Sequence, residues 1–175
     1  MIKATQPANS QQRTIFVCQG TGCVSGKSIE ITEALKKAIA GKGLAGVNVD
    51  FTGCYGFCEQ GPVAIVEPEG IFYAHVVPSD APEIIESHMV GGKPVERLYY
   101  KDPVTGQPVP HHKDIKFFSI QQRIILRNCG RINPERIEDY IAAGGYESLR
   151  KVLKGMTPLQ VIDEIKRSGL PGPRR

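Results

Sequence analysis

Short runs of β-branched and aromatic residues in the first hundred positions predict strands. Residues 14–17 form one such run, which ends directly before a cysteine. Residues 47–51 alternate between apolar and polar side chains, the pattern of a strand with one buried face. The apolar runs 63–66 and 71–77 flank the turn signal Glu-Pro-Glu-Gly, and they therefore predict a β-hairpin.

Helical spacing of apolar residues follows two of these runs. Ser25 or Ser28 is a suitable N-cap for a helix that glycines from Gly41 onward would end. Another helix is expected to start at Asp80. The predicted order is strand, helix, strand, hairpin and helix. It predicts an α/β fold, a thioredoxin-like mixed sheet with flanking helices, over residues 14–100.

The second half of the chain has a different pattern. Residues 101–116 contain three prolines without apolar periodicity, which predicts an extended linker. Residues 117–175 begin with an apolar, strand-like run, and three short amphipathic helices follow, starting near Asn133, Tyr146 and Thr157. This mostly helical segment is small for an independent core. We expect it to dock on the first half, on a second copy or on a partner.

Composition indicates a soluble globular protein. The chain is 41% hydrophobic but has no apolar run long enough for a membrane span. Residues 1–13 are polar and lack the apolar core of a signal peptide, so we expect a flexible N-terminus and a cytoplasmic location.

Charge differs between the halves. Residues 1–100 hold 8 Lys and Arg against 10 Asp and Glu, whereas residues 101–175 hold 14 against 8. Arg123, Arg127 and Arg131 could bind phosphate or an acidic partner, or could form a solvated basic face. Nucleic-acid binding is not expected, because no recognisable module is present and aromatic residues make up only 7%.

Two cysteine pairs carry the candidate chemistry, Cys18 with Cys23 and Cys54 with Cys58. Four thiolates complete the shell of either a structural zinc ion or an iron-sulfur cluster. The spacings are wider than the two-residue gap common in zinc sites, and glycines lie close by, which favours a binuclear 2Fe-2S cluster. Two disulfides are a further alternative, which a reducing cytosol disfavours.

Both pairs directly follow predicted strands. If those strands are parallel neighbours, the two cysteine loops lie at the same edge of the sheet. Cys129 is expected to be a small buried residue rather than a ligand. His111 and His112 are expected to be solvated linker residues, since four thiolates already complete the cluster.

The two spacings, C-x4-C followed by C-x3-C, and the element order resemble the thioredoxin-like 2Fe-2S ferredoxin family. The resemblance implies that Cys18, Cys23, Cys54 and Cys58 are the cluster ligands. It also implies that the two cysteines of one pair share one iron.

Residues 117–170, from FFSIQQRIILRNCGRINPERIEDY to DEIKRSGL, resemble another family. They are similar to the N-terminal region of the flavin-bearing, NADH-oxidising subunit of respiratory complex I, which has relatives in electron-bifurcating FeFe-hydrogenases. In the hydrogenase type, a thioredoxin-like 2Fe-2S domain precedes this region. The resemblance ends at Leu170, before the glycine-rich flavin-binding loop of that family. FMN and NAD are therefore not expected on this chain.

Together the resemblances imply a one-electron carrier, a module or subunit of an NADH-linked redox complex that is not catalytic alone. Flavin- or iron-sulfur-containing redox subunits are the expected partners. The unequal charges and the small helical half make a homodimer the first expectation for association. The alternative function is a zinc-stabilised structural or assembly protein without redox activity.

Overall fold

The computed structural model describes residues 12–170. The chain divides into two compact units after Pro134, which differs from the boundary predicted near residue 100. Positions 1–11 of the predicted flexible N-terminus lie outside the described residues, and Arg13 already belongs to the first strand. Among the residues that are described, no helix is long and apolar enough to cross a membrane.

A four-stranded mixed sheet forms the centre of the first unit. Its strands are β1 (Arg13–Cys18), β2 (Val47–Thr52), β3 (Ala64–Glu67) and β4 (Ile71–Tyr73). They lie in the order β2-β1-β3-β4, with β1 parallel to β2 and antiparallel to β3. Strands β3 and β4 form an antiparallel hairpin. The predicted mixed sheet and its hairpin are confirmed.

Two helices connect β1 to β2. They are α1 (Thr21–Ser25) and α2 (Ser28–Lys42). Sequence patterns did not predict α1. The start of α2 differs from the prediction, since its N-cap is Lys27 in a left-handed conformation and no side chain caps it. Its end agrees, because Gly43 takes the left-handed C-cap conformation that glycine favours.

A third helical segment follows β4, as predicted. It runs through a 3₁₀ turn (Pro78–Asp80), α3 (Ala81–Glu83) and a π-helical stretch (Ile84–Val90). The Val77 N–H donates a 2.8 Å hydrogen bond to Asp80 Oδ2, which satisfies a backbone donor at the start of the segment. This segment and α2 cover one face of the sheet. Their shared core includes Ile15, Val17, Ile31, Leu35, Val66, Tyr73, Ile84 and Ile85.

Residues 100–115 pack against the sheet instead of forming the predicted extended linker. Tyr100–Lys101 (β5) pairs with Pro108–Val109 (β6), and the Phe72 N–H of β4 donates a 2.7 Å hydrogen bond to the Pro110 carbonyl oxygen. Ile115 is only 1% exposed. Proline lacks the N–H donor, but its carbonyl oxygen still accepts, so a proline-rich segment can bind a sheet edge.

The strand predicted over residues 117–126 is wrong. Lys116–Ser119 forms a short helix (α4), and turns follow it. The N–H groups of Phe118 and Ser119 both bond to the Ile115 carbonyl oxygen, so local hydrogen bonds replace strand pairing. The apolar run lacks strict alternation, and Ile125 within it is 92% exposed.

The second unit is helical, as predicted. It contains α5 (Ile137–Ala142), α6 (Glu147–Gly155) and α7 (Pro158–Ser168). Thr157 and Gln160 form the predicted capping box, in which each side chain bonds the backbone N–H of the other residue. The first helix begins at Ile137, four positions later than the Asn133 start signal.

Candidate metal centre

Parallel pairing of β1 and β2 brings the two cysteine loops to one edge of the sheet. Cys18 is the last residue of β1 and lies opposite Thr52, the last residue of β2. The Gln19 N–H then donates a 3.0 Å hydrogen bond to the Thr52 carbonyl oxygen, which holds the two loops side by side. The expectation that these strands are parallel neighbours is confirmed.

Cys18 and Cys23 form the buried pair, with 2% and 3% of their surfaces exposed. Cys18 ends β1, and Cys23 lies in the following α1. The hydrogen bond between their side chains lowers the pKa of Cys18 to about 6, although burial opposes this shift. The same hydrogen bond raises the pKa of Cys23. Of the two, Cys18 therefore ionises more readily, and the thiolate is the form that binds metal.

Cys54 and Cys58 form the exposed pair. Electrostatic repulsion from the neighbouring Cys54 raises the pKa of Cys58. Gly56, between them, has φ = 81° and donates its N–H to Cys54 Sγ at 3.3 Å. A glycine is required there because other residues rarely adopt this conformation.

Gly20 lets the two loops approach each other closely. A Cβ atom built on Gly20 would lie 3.0 Å from Cys54 Sγ, and one on Gly22 would lie 3.7 Å from Cys58 Sγ. The first loop therefore faces the second with no side chain between backbone and sulfur. Cys54 therefore lies against the first loop at Gly20, and Cys58 lies against it at Gly22.

An aromatic cluster that sequence patterns did not identify covers this end of the sheet. Phe57 stacks on Phe117 with a centroid separation of 4.8 Å, and Phe118 meets Tyr55 edge-on at 5.4 Å. Tyr55 and Phe57 belong to the second cysteine loop. The residues of this second core include Cys18, Cys23, Tyr55, Val63, Ile65, Phe72, Tyr100 and Ile115. The supposed linker thus supplies part of the wall around the cysteines.

Tyr55 also contacts Arg123 and Gly130, which follow the aromatic residues 117–118 in sequence. Gly130 packs on its ring so closely that a Cβ there would lie 2.0 Å from the ring. The Gly130 N–H donates a buried 2.9 Å hydrogen bond to Thr52 Oγ1. Arg123 Nη2 donates to the Tyr55 carbonyl oxygen at 3.2 Å. The only sequence signal for this contact was the turn Asn-Cys-Gly at residues 128–130.

The secondary candidates differ from expectation in part. Cys129 is half-buried rather than fully buried. His111 and His112 are not solvated linker residues, because both contact the hairpin. His111 Nδ1 lies 3.1 Å from the Glu69 carbonyl oxygen, and His112 Nε2 lies 3.5 Å from Glu67 Oε1. The cause is the packing of residues 100–115 described above.

The donor set and its surroundings fit an iron-sulfur cluster. Across residues 12–170, no three His, Cys, Asp or Glu side chains are arranged as ready-made ligands of one metal ion. The four thiols lie instead on two facing loops, where Cys54 is close to Gly20 and Cys58 is close to Gly22. Four cysteine thiolates are the usual ligands of a 2Fe-2S core, and backbone N–H groups near sulfur are typical of such sites.

Known proteins resemble the first part of the chain. The thioredoxin-like 2Fe-2S ferredoxin family matches residues 4–89. A 2Fe-2S ferredoxin from Clostridium pasteurianum is 41% identical over 93 residues, which are 48% of this chain and 91% of that protein. The thioredoxin-like ferredoxin structure from Aquifex aeolicus gives a TM-score of 0.47 at 34% identity, covering 50% of this chain and 89% of that one.

A further relative is a much larger protein. The NADP-reducing hydrogenase subunit HndC from Solidesulfovibrio fructosivorans is 64% identical over 52 residues. The match covers 30% of this chain but only 10% of that subunit.

Proposed function

Because the chain belongs to the thioredoxin-like 2Fe-2S ferredoxin family, we propose that Cys18, Cys23, Cys54 and Cys58 bind one 2Fe-2S cluster for one-electron transfer. One observation carries the proposal. Two parallel neighbouring strands bring both cysteine loops to one edge, where Gly20 lets the first loop pack against Cys54 Sγ. A bound 2Fe-2S cluster takes up and releases a single electron without needing a further protein ligand.

The two cysteine pairs differ in exposure, so they would bind opposite sides of the cluster. Cys18 and Cys23 would hold the inner side, away from water. Cys54 and Cys58 would hold the outer side, where a redox partner can approach. The Gly56 N–H bonded to Cys54 Sγ stabilises negative charge on that sulfur. Hydrogen bonds to sulfur and solvent exposure both influence the reduction potential of such a site.

The finer proposal is that the chain works as a module or subunit of a redox complex linked to a nicotinamide nucleotide. The 52-residue match to the NADP-reducing hydrogenase subunit HndC supports this proposal. So does the resemblance of residues 117–170 to the start of the NADH-oxidising subunit of complex I. In such a complex the chain would pass electrons between its cluster and a flavin- or iron-sulfur-containing subunit.

Spectroscopy of anaerobically purified protein tests the cluster directly. We expect a reddish-brown protein with two irons per chain. After dithionite reduction it should give the paramagnetic signal of a half-reduced iron pair. A colourless protein with one zinc ion per chain would overturn the proposal and favour the zinc-stabilised structural protein instead.

The homodimer remains part of the proposal, because the two sequence halves carry opposite net charges. Light scattering of the iron-loaded protein over a range of concentrations measures the oligomeric state. We expect the mass of two chains. A constant mass of one chain, with residues 117–170 resistant to protease, would contradict this expectation.

A further inference from the structure

A cavity of about 350 Å³ opens beside the second cysteine loop. Its walls include the aromatic rings of Tyr55 and Phe118. Four cationic side chains also line it. They are Lys113, Arg123, Arg127 and Arg131. We call this cavity the arginine pocket. No Asp or Glu is among its lining residues, so the charged side chains that line it are cationic.

The cations of the arginine pocket have no anionic partner in the part of the chain that the structure describes. Lys113, Arg123, Arg127 and Arg131 take part in no ion pair there. His112, which also lines the pocket, lies 3.5 Å from Glu67 Oε1. Several like charges held close together repel one another, so an anion bound between them would relieve that repulsion.

The pocket is connected to the cluster site through one residue. The Arg123 guanidinium lies 4.8 Å from the Phe118 ring centroid and 5.7 Å from that of Tyr55. It also donates to the Tyr55 carbonyl oxygen, and Tyr55 directly follows Cys54 in the second cysteine loop. A partner bound in the pocket would therefore lie against the loop that carries Cys54 and Cys58.

The segment that supplies the arginines also exposes apolar side chains. Ile120 is 83% exposed, Ile124 68%, Ile125 92% and Leu126 61%. Isolated exposed apolar residues are common, but a run of them interleaved with arginines is typical of a protein-binding surface. A small free anion would make no use of this apolar run. The combination favours a protein partner over a soluble phosphate.

We propose that the arginine pocket and residues 120–126 form the docking site for an electron-transfer partner protein with an acidic surface patch. The inference rests on the proposed electron-transfer function and adds the place and the chemistry of the partner's approach. Positive charge next to the exposed cysteines would steer an acidic partner toward the outer side of the cluster.

A labelled peptide tests the docking chemistry without relying on the cluster. The probe is fluorescein-labelled Glu-Glu-Leu-Leu-Glu-Glu, compared with its glutamine counterpart Gln-Gln-Leu-Leu-Gln-Gln, by fluorescence anisotropy at low ionic strength. We expect the acidic peptide to bind and the neutral one to bind at least about fivefold more weakly. The double variant Arg127→Gln, Arg131→Gln should lose at least about fivefold in affinity for the acidic peptide.

The matched control removes the same charge elsewhere. Lys36 and Lys37 are exposed on α2, so Lys36→Gln, Lys37→Gln lowers the net charge equally without touching the pocket. We expect its peptide affinity to stay within about twofold of the wild type. Equal losses in both double variants would overturn the proposal. So would displacement of the peptide by inorganic phosphate at submillimolar concentration, which would show a small-anion site.

Small oxidants test whether the pocket guides electron transfer. Hexacyanoferrate(III) is anionic and hexaammineruthenium(III) is cationic, and each takes one electron from the dithionite-reduced protein. We expect Arg127→Gln, Arg131→Gln to slow oxidation by hexacyanoferrate(III) about tenfold at low salt. Oxidation by hexaammineruthenium(III) should not slow, and the lysine control should leave the ratio of the two rates near its wild-type value.

The two tests separate the docking inference from the proposed function. A protein without a 2Fe-2S cluster fails the spectroscopic test, yet it can still bind the acidic peptide through arginines that are not ligands. If the protein has the expected spectrum but the double variant Arg127→Gln, Arg131→Gln changes neither the peptide affinity nor the ratio of the two oxidation rates, the docking site is overturned. The proposed function then stands.

Discussion

Gly61 faces Cys23 so closely that a Cβ atom on Gly61 would lie 3.0 Å from Cys23 Sγ. The same Cβ would lie 3.1 Å from the Cys58 carbonyl oxygen. Gly61 follows the 3₁₀ turn that starts at Cys58, and its N–H bonds to that carbonyl oxygen at 3.0 Å. Gly61 therefore lies against Cys23 of the first pair and Cys58 of the second, and a side chain at this position would be crowded by both. A free Cys23 side chain could rotate away from an added methyl group, whereas a Cys23 thiolate held as a ligand could not.

We predict that Gly61→Ala weakens cluster binding more than it weakens the fold. The crowded contact costs roughly 1–3 kcal/mol where the side chain cannot move, which would speed cluster loss by about fivefold to a hundredfold. The decay of visible absorbance under air measures that rate. Gly53→Ala is the matched control, because Gly53 adjoins Cys54 but a Cβ there meets nothing within 4 Å. Equal decay rates in the two variants would refute the role assigned to Gly61.

Replacing any single ligand should remove or destabilise the cluster. A serine hydroxyl is a poorer ligand than thiolate for iron-sulfur chemistry, so Cys18→Ser, Cys23→Ser, Cys54→Ser and Cys58→Ser should each lower the iron content and bleach the protein. Cys129→Ser is the control, since Cys129 lies outside both pairs, and it should keep two irons per chain. Iron analysis measures the iron content per chain, and the visible absorption spectrum measures the bleaching. Loss of iron in Cys129→Ser together with retention in Cys58→Ser would show that the ligand assignment is wrong.

The sequence predicted the part of the site that depends on local pattern and strand order. Residues 14–17 and 47–51 have the length and alternation of strands, and each run precedes a cysteine. Their parallel pairing in the structure then places Cys18 and Cys54 at one edge. The family resemblance added the cofactor, because spacing alone left zinc and disulfides open.

Tertiary packing decided the rest of the site, and local pattern could not show it. The prolines of residues 101–116 predicted a linker, yet Tyr100 and Ile115 are buried against the cysteine end of the sheet. Phe118 packs on Tyr55 across 63 positions of sequence. Buried apolar residues at the two ends of a proline-rich stretch were the available signal. Helix α1 was missed because it has only five residues, one of them Gly22, and glycines lie at both of its caps.

The buried carboxylate of Asp80 should contribute more to stability than the exposed ion pairs. Its side chain is only 6% exposed, and it accepts hydrogen bonds from the Val77 N–H at 2.8 Å and from Arg97 Nη2 at 2.7 Å. Asp80→Ala leaves both donors without this acceptor, which should cost about 1–3 kcal/mol. Urea unfolding followed by circular dichroism, on iron-loaded protein under argon, measures the change.

The control for Asp80 is the exposed pair of Lys42 and Glu86, whose nitrogen and oxygen lie 3.0 Å apart. Glu86→Gln should change stability by less than about 1 kcal/mol, because solvent screens such pairs. If Asp80→Ala costs no more than Glu86→Gln, the hydrogen bonds to the buried carboxylate do not stabilise the fold as argued.

His88 should make the fold sensitive to acid. The residue is 2% exposed, and its Nδ1 lies 2.7 Å from the Tyr73 hydroxyl, which in turn accepts from the Val95 N–H at 3.0 Å. This arrangement suits a neutral imidazole that accepts the Tyr73 proton. Burial lowers the pKa of His88, nearby Arg13 lowers it further, and Glu69 opposes both.

The sign of the effect follows from that lowered pKa. Above about pH 6.5, His88 is neutral in both the folded and the unfolded chain, so it adds no pH dependence. As the pH falls below about 6.5, the unfolded chain binds a proton that the folded protein resists. Stability is then lost by at most about 1.4 kcal/mol per pH unit until the folded pKa is reached. His88→Asn, which keeps an acceptor near the Nδ1 position but does not titrate, should remove this part of the loss.

Urea midpoints at about pH 7.5 and pH 5.5 test the His88 prediction, because these values bracket the ordinary histidine pKa. The wild type should lose more stability between them than His88→Asn does. His75→Asn is the control, since His75 is exposed and its positive φ of 51° suits asparagine. It should lose as much as the wild type. Carboxylates also bind protons in this range. The test therefore compares the loss of stability between variants and does not use the absolute loss of any one protein. An equal loss in all three proteins would mean that His88 binds a proton as readily in the folded state as in the unfolded chain.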